Sequence, residues 1–222
     1  MIHFRISVFS LFRIYFLLMH LVCDFDDTLT NTTKYWNFWL DKLEKVGVSR
    51  ERAIETGSRL FIERFTLKRH MDALSIQDQT AVQLLNEMEE HVKEFGKTYI
   101  FPDVHPFLLE HNTNHSFSLL TYGDETNQRW RVSESGIGPY FQPVRIAGPE
   151  KHKVEFLKEI LQTTTEQIIF VDDSPNELNP VVDAELPIKL YRIVRPGAKH
   201  DYVHERDDVA WTRIGSIDEI KI

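Results

Sequence analysis

The sequence predicts an α/β protein, a Rossmann-like doubly wound parallel sheet with an inserted all-helical block. Two observations predict this class. Short apolar runs alternate with helical segments in the second half of the chain, as they do in parallel sheets covered by helices on both faces. Between the first apolar run and the second, residues 31–98 show helical periodicity alone. A chain of 222 residues can hold one such domain with a sizeable insert.

The predicted strands are short and rich in branched and aromatic residues, which suit a pleated and buried surface. In chain order they are Leu21–Cys23 and residues 116–121, 143–147, 167–171 and 188–194. Helices are predicted between and around them over residues 102–110, 125–135 and 151–161, with a last half-turn over residues 218–222.

The inserted block is predicted to contain three or four helices. The first carries Trp36 and Trp39 at helical spacing and ends before Gly47. A second begins near Ser49, and a third covers residues 75–95. The aromatic positions of this block are expected to pack the helices against one another.

Composition limits the possible partners of the protein. The hydrophobic share of 42% is ordinary for a globular chain, so a full core can form. The net charge of -8 argues against a nucleic-acid partner, which would need a basic face. The single cysteine, Cys23, allows no internal disulfide, and we expect a cytoplasmic location. Nothing in the sequence indicates an oligomeric state.

The first 18 residues differ in character from the rest of the chain. Arg13 divides their apolar run, so neither half reaches the roughly 20 residues that a membrane helix needs. No small-residue cleavage site precedes Cys23. We therefore expect the folded domain to start at Met19, with residues 1–18 as an extension outside it. A membrane anchor formed by residues 1–18 is the alternative.

Acidic side chains follow two of the predicted strands. Asp24 and Asp26 come directly after the first strand, and Asp172 and Asp173 follow the strand at residues 167–171. Ionised carboxylates near a core are costly unless they are paired or bound to a metal. Because ligands of parallel sheets bind outside the carboxyl ends of the strands, we expect these acids to converge on one crevice, together with Thr121.

Four motifs in this order resemble those of the haloacid dehalogenase-like (HAD) hydrolase superfamily. The first is Asp24-Phe25-Asp26 with Thr28, the second Leu119-Leu120-Thr121, the third Lys151, and the fourth the acidic run from Val171 to Glu177. The resemblance implies a core formed by residues 19–30 and 99–222. It also implies that the helical block at residues 31–98 is a cap of the kind that closes over the active site of capped phosphatases.

The resemblance implies a Mg²⁺-dependent phosphomonoester hydrolase that acts on a small phosphorylated metabolite. Asp24 would be the nucleophile, forming an aspartyl-phosphate, and would also bind the metal. Asp26 would move the proton and offer its backbone carbonyl to the metal. Thr121 and Lys151 would hold the phosphoryl oxygens. Mg²⁺ suits such a site because it prefers oxygen ligands and offsets the charge of the phosphate.

Several assignments stay open at this point. Asp173 is preferred as the metal ligand of the fourth motif, with Asp172 as an accessory acid. Lys153 competes with Lys151, which is preferred because it lies nearer the predicted start of the helix. Glu177 could form a capping box with Ser174 or belong to the metal site, and the sequence favours neither role.

The reaction type also has alternatives. A phosphomutase-type phosphoryl transfer would use the same four motifs, and a non-catalytic binding protein could keep the same scaffold. Dehalogenation is a weaker possibility because it does not need the acid at Asp26. A cap favours a small-molecule phosphate ester over a large partner, because it leaves little room over the crevice.

Overall fold

The computed structural model describes residues 18–63, 65–198, 206 and 211–222. The prediction for residues 1–18 therefore lies outside the described residues, apart from its last residue. Within the described ranges, no helix combines the length and the apolar character that crossing a membrane requires.

Six strands form one fully parallel sheet. They are β1 (Met19–Cys23), β2 (Ser116–Tyr122), β3 (Val144–Ala147), β4 (Gln167–Asp172), β5 (Lys189–Ile193) and β6 (Trp211–Ile214). Their order across the sheet is β3-β2-β1-β4-β5-β6. The predicted α/β class with a parallel sheet is confirmed, and the first strand of the chain lies at the centre of the sheet. This central position brings the ends of β2 and β4 to either side of the end of β1.

Strand β6 is an element that the sequence did not predict. Only its first and last residues, Trp211 and Ile214, are buried, and the two between them are exposed. No apolar run therefore marks it. The half-turn predicted nearby is a short 3₁₀ turn at Ile217–Glu219.

Helices account for most of the remaining described residues. They are α1 (Thr32–Lys45), α2 (Arg50–Glu63), α3 (Leu67–Ala73), α4 (Asp78–Phe95), α5 (Val104–His111), α6 (Glu125–Glu134), α7 (Lys153–Thr163) and α8 (Pro175–Asp183). Helices α5 and α6 contribute to the core on one face of the sheet, and α7 and α8 to the core on the other. The sheet is therefore covered on both faces, as the doubly wound class requires.

Helices α1 to α4 all lie between β1 and β2, so the predicted helical insert is confirmed. The last of them begins at Asp78, three residues later than predicted, because Ser75 has a positive φ of 60° that a right-handed helix excludes. Thr66 caps the extra helix α3 by accepting a hydrogen bond from the backbone of Arg69.

The insert leaves and rejoins the core at one place. Thr30 and Ile100 form an antiparallel bridge, and the backbone N–H of Asn31 donates to the carbonyl of Tyr99 at 2.8 Å. Both connections are thereby held next to the end of β1. The domain boundaries at residues 31 and 98 remain a prediction. They lie next to the paired segments at which the chain enters and leaves the insert.

The insert has its own core, and a buried histidine stands within it. Trp39 donates its indole N–H to Nδ1 of His70 at 3.0 Å, and Nε2 of His70 lies 2.9 Å from the carbonyl of Ala53. Because Nδ1 accepts, Nε2 carries the proton and the ring is neutral. Burial lowers the pKa of His70 below its ordinary value, against the opposing effect of the Ala53 carbonyl.

The lowered pKa predicts a pH-dependent stability that His70→Gln removes. The unfolded chain takes up a proton at His70 near pH 6.5, whereas the folded chain resists it. The stabilising contribution is therefore complete above this pH and is lost as the pH falls. Glutamine can make both hydrogen bonds but does not titrate. We expect the stability gap between wild type and His70→Gln to shrink below pH 6.5 by up to about 1.4 kcal/mol per pH unit.

Urea unfolding at pH 7.5 and 5.5 measures this gap. Other histidines with lowered pKa values, such as His20 and His91, are present in both proteins and cancel in the difference. A gap of equal size at the two pH values would contradict the prediction.

Candidate active site

Three buried carboxylates meet at the centre of the sheet edge. Asp24 follows β1 directly, and its backbone N–H donates to the carbonyl of Val171 in β4 at 2.9 Å. Asp172 ends β4, and Asp173 follows it. One carboxylate oxygen from each of Asp24, Asp172 and Asp173 lies within 4.8 Å of the other two. The parallel pairing of β1 with β4 thus brings together acids that are about 150 positions apart in the sequence.

Lys153, the first residue of α7, lies against these acids. Its ammonium is 2.6 Å from Oδ1 of Asp24 and 2.7 Å from Oδ2 of Asp172, and only 2% of its side chain is exposed. Burial lowers the pKa of Lys153, but the charges of Asp172 and Asp24 outweigh burial and raise it well above its ordinary value. The lysine is therefore charged in the folded protein.

Lys151 does not reach this cluster, and the structure places Lys153 in the position that we predicted for Lys151. A reciprocal pair of backbone hydrogen bonds joins Lys151 to Gly148 in a tight turn, so α7 begins two residues later than predicted. The ammonium of Lys151 lies 2.5 Å from Glu159 and over the ring of Phe156. Its side chain is directed along the outside of α7.

The cluster carries more negative charge than its lysine balances. Burial raises the pKa of Asp24, and the nearby Asp172 and Asp26 raise it further, while Lys153 opposes the shift. Burial also raises the pKa of Asp173 well above its ordinary value, and so do the negative charges of Asp172 and Asp24. If all three carboxylates are ionised, one ammonium leaves two negative charges uncompensated, which is the charge of one divalent cation.

Two buried oxygens at the site have no hydrogen-bond partner in the described part of the chain. They are Oδ2 of Asp173 and the hydroxyl of Thr121, which lies near the end of β2. Leaving a buried polar atom unpaired is costly, so such atoms point to a bound ion or ligand. Carboxylate oxygens are the ligands that Mg²⁺ prefers. The donor set therefore fits a hard divalent cation next to Asp24 and Asp173.

Asp172 differs from Asp173 because both of its oxygens are occupied. Oδ2 binds Lys153, and Oδ1 accepts the backbone N–H of Ser174 at 2.9 Å. Ser174 precedes α8, but its side chain makes no capping hydrogen bond. The capping box that was one interpretation of Glu177 is therefore absent, and Glu177 instead lines the crevice.

Asp26 is held by three side chains from outside its own loop. Oδ1 lies 2.6 Å from the guanidinium of Arg131 and accepts the hydroxyl of Thr32 at 2.6 Å, while Oδ2 accepts the amide of Gln128 at 2.7 Å. Burial on its own raises the pKa of Asp26. The charge of Arg131 and the three hydrogen bonds reverse that effect and lower it below the ordinary value. The ionised form is therefore favoured in this arrangement.

Arg131, Gln128 and Thr32 were not predicted as site residues. Gln128 and Arg131 are three residues apart on α6, so both reach the same side of that helix. An arginine that is 8% exposed in a polar helix marks a paired charge, but its partner is more than 100 positions away in the sequence. The helical spacing could have suggested that Gln128 and Arg131 lie on one face of α6, but it does not indicate that this face contacts Asp26.

Asp27 shapes the turn between the strand and α1. It has a φ of 54°, a left-handed conformation that aspartate tolerates better than most residues. Its Oδ1 accepts the backbone N–H of Thr32 at 3.0 Å, and its own N–H donates to the carbonyl of Thr30 at 2.8 Å. The turn is closed by these bonds, and they place the start of α1 beside Asp26.

A crevice of about 950 Å³ lies between the strand ends and the helical insert. The carboxylate cluster, Asp26, Thr121 and Lys153 line its side toward the core. Its opposite side is lined by residues of α1 and α2 and by the segment before α3. A small molecule could therefore contact the acids and the insert at the same time.

Comparison with solved structures supports the fold. A HAD-like hydrolase from Burkholderia xenovorans LB400 superposes with a TM-score of 0.69 at 17% identity, covering 91% of this chain and 94% of that one. The magnesium-bound HAD-hydrolase YfnB from Bacillus subtilis gives 0.63 at 13% identity, covering 91% and 96%. A 2-haloacid dehalogenase from Pseudomonas syringae gives 0.60 at 21% identity, also covering 91% and 96%.

Sequence comparison gives the family. No curated protein sequence matches this chain significantly. The family model described as haloacid dehalogenase-like hydrolase matches residues 18–179, which is well over half of the chain and includes the ends of β1, β2 and β4. The chain therefore belongs to the haloacid dehalogenase-like hydrolase family.

Proposed function

We propose that the protein is a Mg²⁺-dependent phosphomonoester hydrolase that acts on a small phosphorylated metabolite. One observation carries this proposal: the buried cluster of Asp24, Asp172 and Asp173 around Lys153 lacks two positive charges. A site of this kind attracts a divalent cation, and the cation together with Lys153 can receive a phosphate. The magnesium bound by the related YfnB is consistent with that choice of metal.

Asp24 is the proposed nucleophile. One of its oxygens forms a bond to phosphorus while the bond to the leaving alcohol oxygen breaks, which gives an aspartyl-phosphate. Water then attacks the same phosphorus and releases inorganic phosphate and the carboxylate of Asp24. The ion pair with Lys153 supports this role, because it favours the ionised form of a carboxylate that burial alone would neutralise.

Asp26 is the proposed proton carrier. It would give a proton to the leaving alcohol and take one from the attacking water. Its bonds to Arg131, Thr32 and Gln128 hold the carboxylate in one orientation beside the turn. They favour the ionised form that accepts the proton from water. The negative charge of an approaching phosphate acts in the opposite direction and favours uptake of the proton that the first step needs.

Five groups are proposed to bind the phosphoryl oxygens and the metal. The buried hydroxyl of Thr121 and the ammonium of Lys153 are the proposed phosphate donors. Asp24, the backbone carbonyl of Asp26 and Asp173 would hold Mg²⁺, which supplies positive charge to the phosphate when bound. Asp173 is preferred over Asp172 because its Oδ2 has no hydrogen-bond partner among the described residues, whereas Asp172 already binds Lys153.

Removal of the nucleophile tests the proposal directly. Asp24→Asn should lower kcat for phosphate release by at least about 10³-fold, because an amide is a poor nucleophile. Asp26→Asn should lower it by about 10²- to 10⁴-fold, the usual contribution of a general acid or base. The assay is phosphate release from a panel of phosphorylated metabolites with Mg²⁺ present.

The matched control is Asp72→Asn, which changes an exposed aspartate of the insert that pairs with Lys68. It should stay within about twofold of wild type, since exposed ion pairs contribute little. If the wild type releases no phosphate from any panel member, the proposal fails. Isomerised sugar phosphates without net release would instead indicate a phosphomutase.

The charge deficit predicts opposite effects of Asp173→Asn with and without metal. In EDTA at neutral pH the variant should be more stable than wild type, because burial and the neighbouring acids raise the pKa of Asp173, and folding must therefore oppose the ionisation that the unfolded chain allows. At a Mg²⁺ concentration of 100 times Kd, wild type should gain about 2.7 kcal/mol, and the variant should gain far less. Urea unfolding in EDTA and in MgCl₂ measures both values. Equal Mg²⁺ responses of the two proteins would rule out Asp173 as a ligand.

The two lysines provide a paired test of the phosphate site. Lys153→Met should lower kcat/KM by about 10²- to 10³-fold, because it removes a preorganised positive charge. Lys151→Met changes an exposed lysine two residues away and should remain within about twofold of wild type. Circular dichroism of both variants shows whether the fold is kept. A larger loss in Lys151→Met than in Lys153→Met would reverse the assignment.

A further inference from the structure

In the part of the chain that the structure describes, the wall of the crevice that faces the carboxylate cluster carries no charged side chain. Among the insert residues that the structure describes, those lining the crevice are Thr32, Thr33, Tyr35, Trp36, Ser58, Phe61 and Phe65. None of these side chains carries a formal charge, and four of them are aromatic. The cationic groups Lys153 and Arg131 lie on the opposite, core side of the crevice. The crevice is therefore divided into a polar, charged end and an apolar end.

Three rings form the apolar end as one continuous surface. The centroid of Trp36 lies 5.5 Å from that of Phe61 and 5.5 Å from that of Phe65, in edge-to-face contacts. Phe61 and Phe65 stack on each other at 4.6 Å. Because the rings contact one another, they present one continuous apolar wall to the crevice.

The wall is supported from behind. Trp36 stacks on the buried ring of His70, with centroids 5.7 Å apart and planes 16° from parallel. Helix α2 approaches Trp36 at Gly57, where an added Cβ would lie 2.7 Å from the indole. His70 is itself held by Trp39 and the carbonyl of Ala53. Trp36 is thus fixed in place before any ligand arrives.

Phe61 completes the wall at its open side. It is 40% exposed, although it stacks on Phe65 and contacts Trp36. An exposed ring continuous with a concave site is what a ligand with an apolar surface would cover. An anionic or strongly hydrated group placed against these rings would lose its water, and none of the described insert residues that line the crevice offers it a positive charge.

We propose that the substrate is a phosphomonoester of an apolar alcohol, with an aromatic ring or a similar flat apolar group lying against Trp36, Phe61 and Phe65. This inference rests on the proposed hydrolase function. The phosphate occupies the charged end beside Asp24 and Lys153, and the apolar group occupies the opposite wall. Esters with a second anionic group are disfavoured.

Two substrates with the same reacting centre test this inference. Ethyl phosphate and 2-phenylethyl phosphate are both esters of primary alcohols and differ by one phenyl ring. We expect kcat/KM for the phenylethyl ester to be at least about tenfold higher, the discrimination that burial of one ring supplies. Phe61→Ser should bring this ratio close to one. Wild-type ratios near one would overturn the inference.

Phe95→Ser is the matched control variant. Phe95 lies at the end of α4, is 39% exposed and does not line the crevice. Its replacement should leave the substrate ratio unchanged. Trp36→Ala tests a second residue of the wall, and circular dichroism shows whether that variant folds. A ratio that falls equally in Phe61→Ser and Phe95→Ser would contradict a specific role of the wall.

Binding of phosphonates separates this inference from the proposed function. Ethylphosphonate and 2-phenylethylphosphonate lack a cleavable ester bond, and calorimetry measures their Kd values with Mg²⁺ present. We expect the phenylethyl compound to bind at least about tenfold more tightly. If no ester is hydrolysed but this preference remains, the hydrolase proposal fails and the apolar site stands. If esters are hydrolysed without any preference in rate or binding, the inference fails and the hydrolase proposal stands.

Discussion

The ammonium of Lys153, held between Asp24 and Asp172, is the interaction on which the centre of the molecule depends. Two strands end next to each other with buried carboxylates, and without a cation this edge of the sheet would repel itself. Helix α7 supplies that cation from its first residue. The start of α7 at Lys153 therefore places a positive charge between the buried acids, and under the proposed function the same charge would bind the phosphate. One lysine cannot balance three ionised acids, which supports the divalent cation of the proposed function.

The turn after β1 connects this charged centre to the helical insert. Thr32 opens α1, closes the turn with Asp27 and donates its hydroxyl to Asp26. Arg131 from α6 binds the same carboxylate and lies over the ring of Tyr35 in α1, at 4.5 Å from its centroid. A movement of α1 would therefore change the hydrogen bonds that hold the carboxylate of Asp26. The structure couples the part of the site that would read the substrate to the residue that would move the proton.

The sequence was sufficient to predict which acidic side chains meet at the sheet edge. It was insufficient to predict which basic side chains pair with them. Asp24 and the pair after β4 follow from one rule, because parallel strands end at the same edge. The choice between Lys151 and Lys153 depends on a turn closed by Gly148, and helix periodicity does not register such a turn. The contact of Arg131 with Asp26 joins α6 to the turn after β1, which is distant in the sequence. The spacing of residues within either segment could not identify it. Strand β6 was not predicted because its pairing with β5, and not an apolar run in its own sequence, makes it a strand.

The two ends of the crevice would contribute differently to the proposed reaction: the charged end to the chemistry and the apolar end to binding of the alcohol. The charged end must be able to hold a transferring phosphate, and every phosphate ester offers that group, so it can contribute little to discrimination. The side chains of Trp36, Phe61 and Phe65 carry no formal charge, and their rings offer contact area in its place. Binding energy gained there is available to position the ester bond over Asp24. Under the proposed function, selectivity for the alcohol and reactivity toward the phosphate would thus rest on separate sets of residues, joined through Thr32, Tyr35 and Arg131.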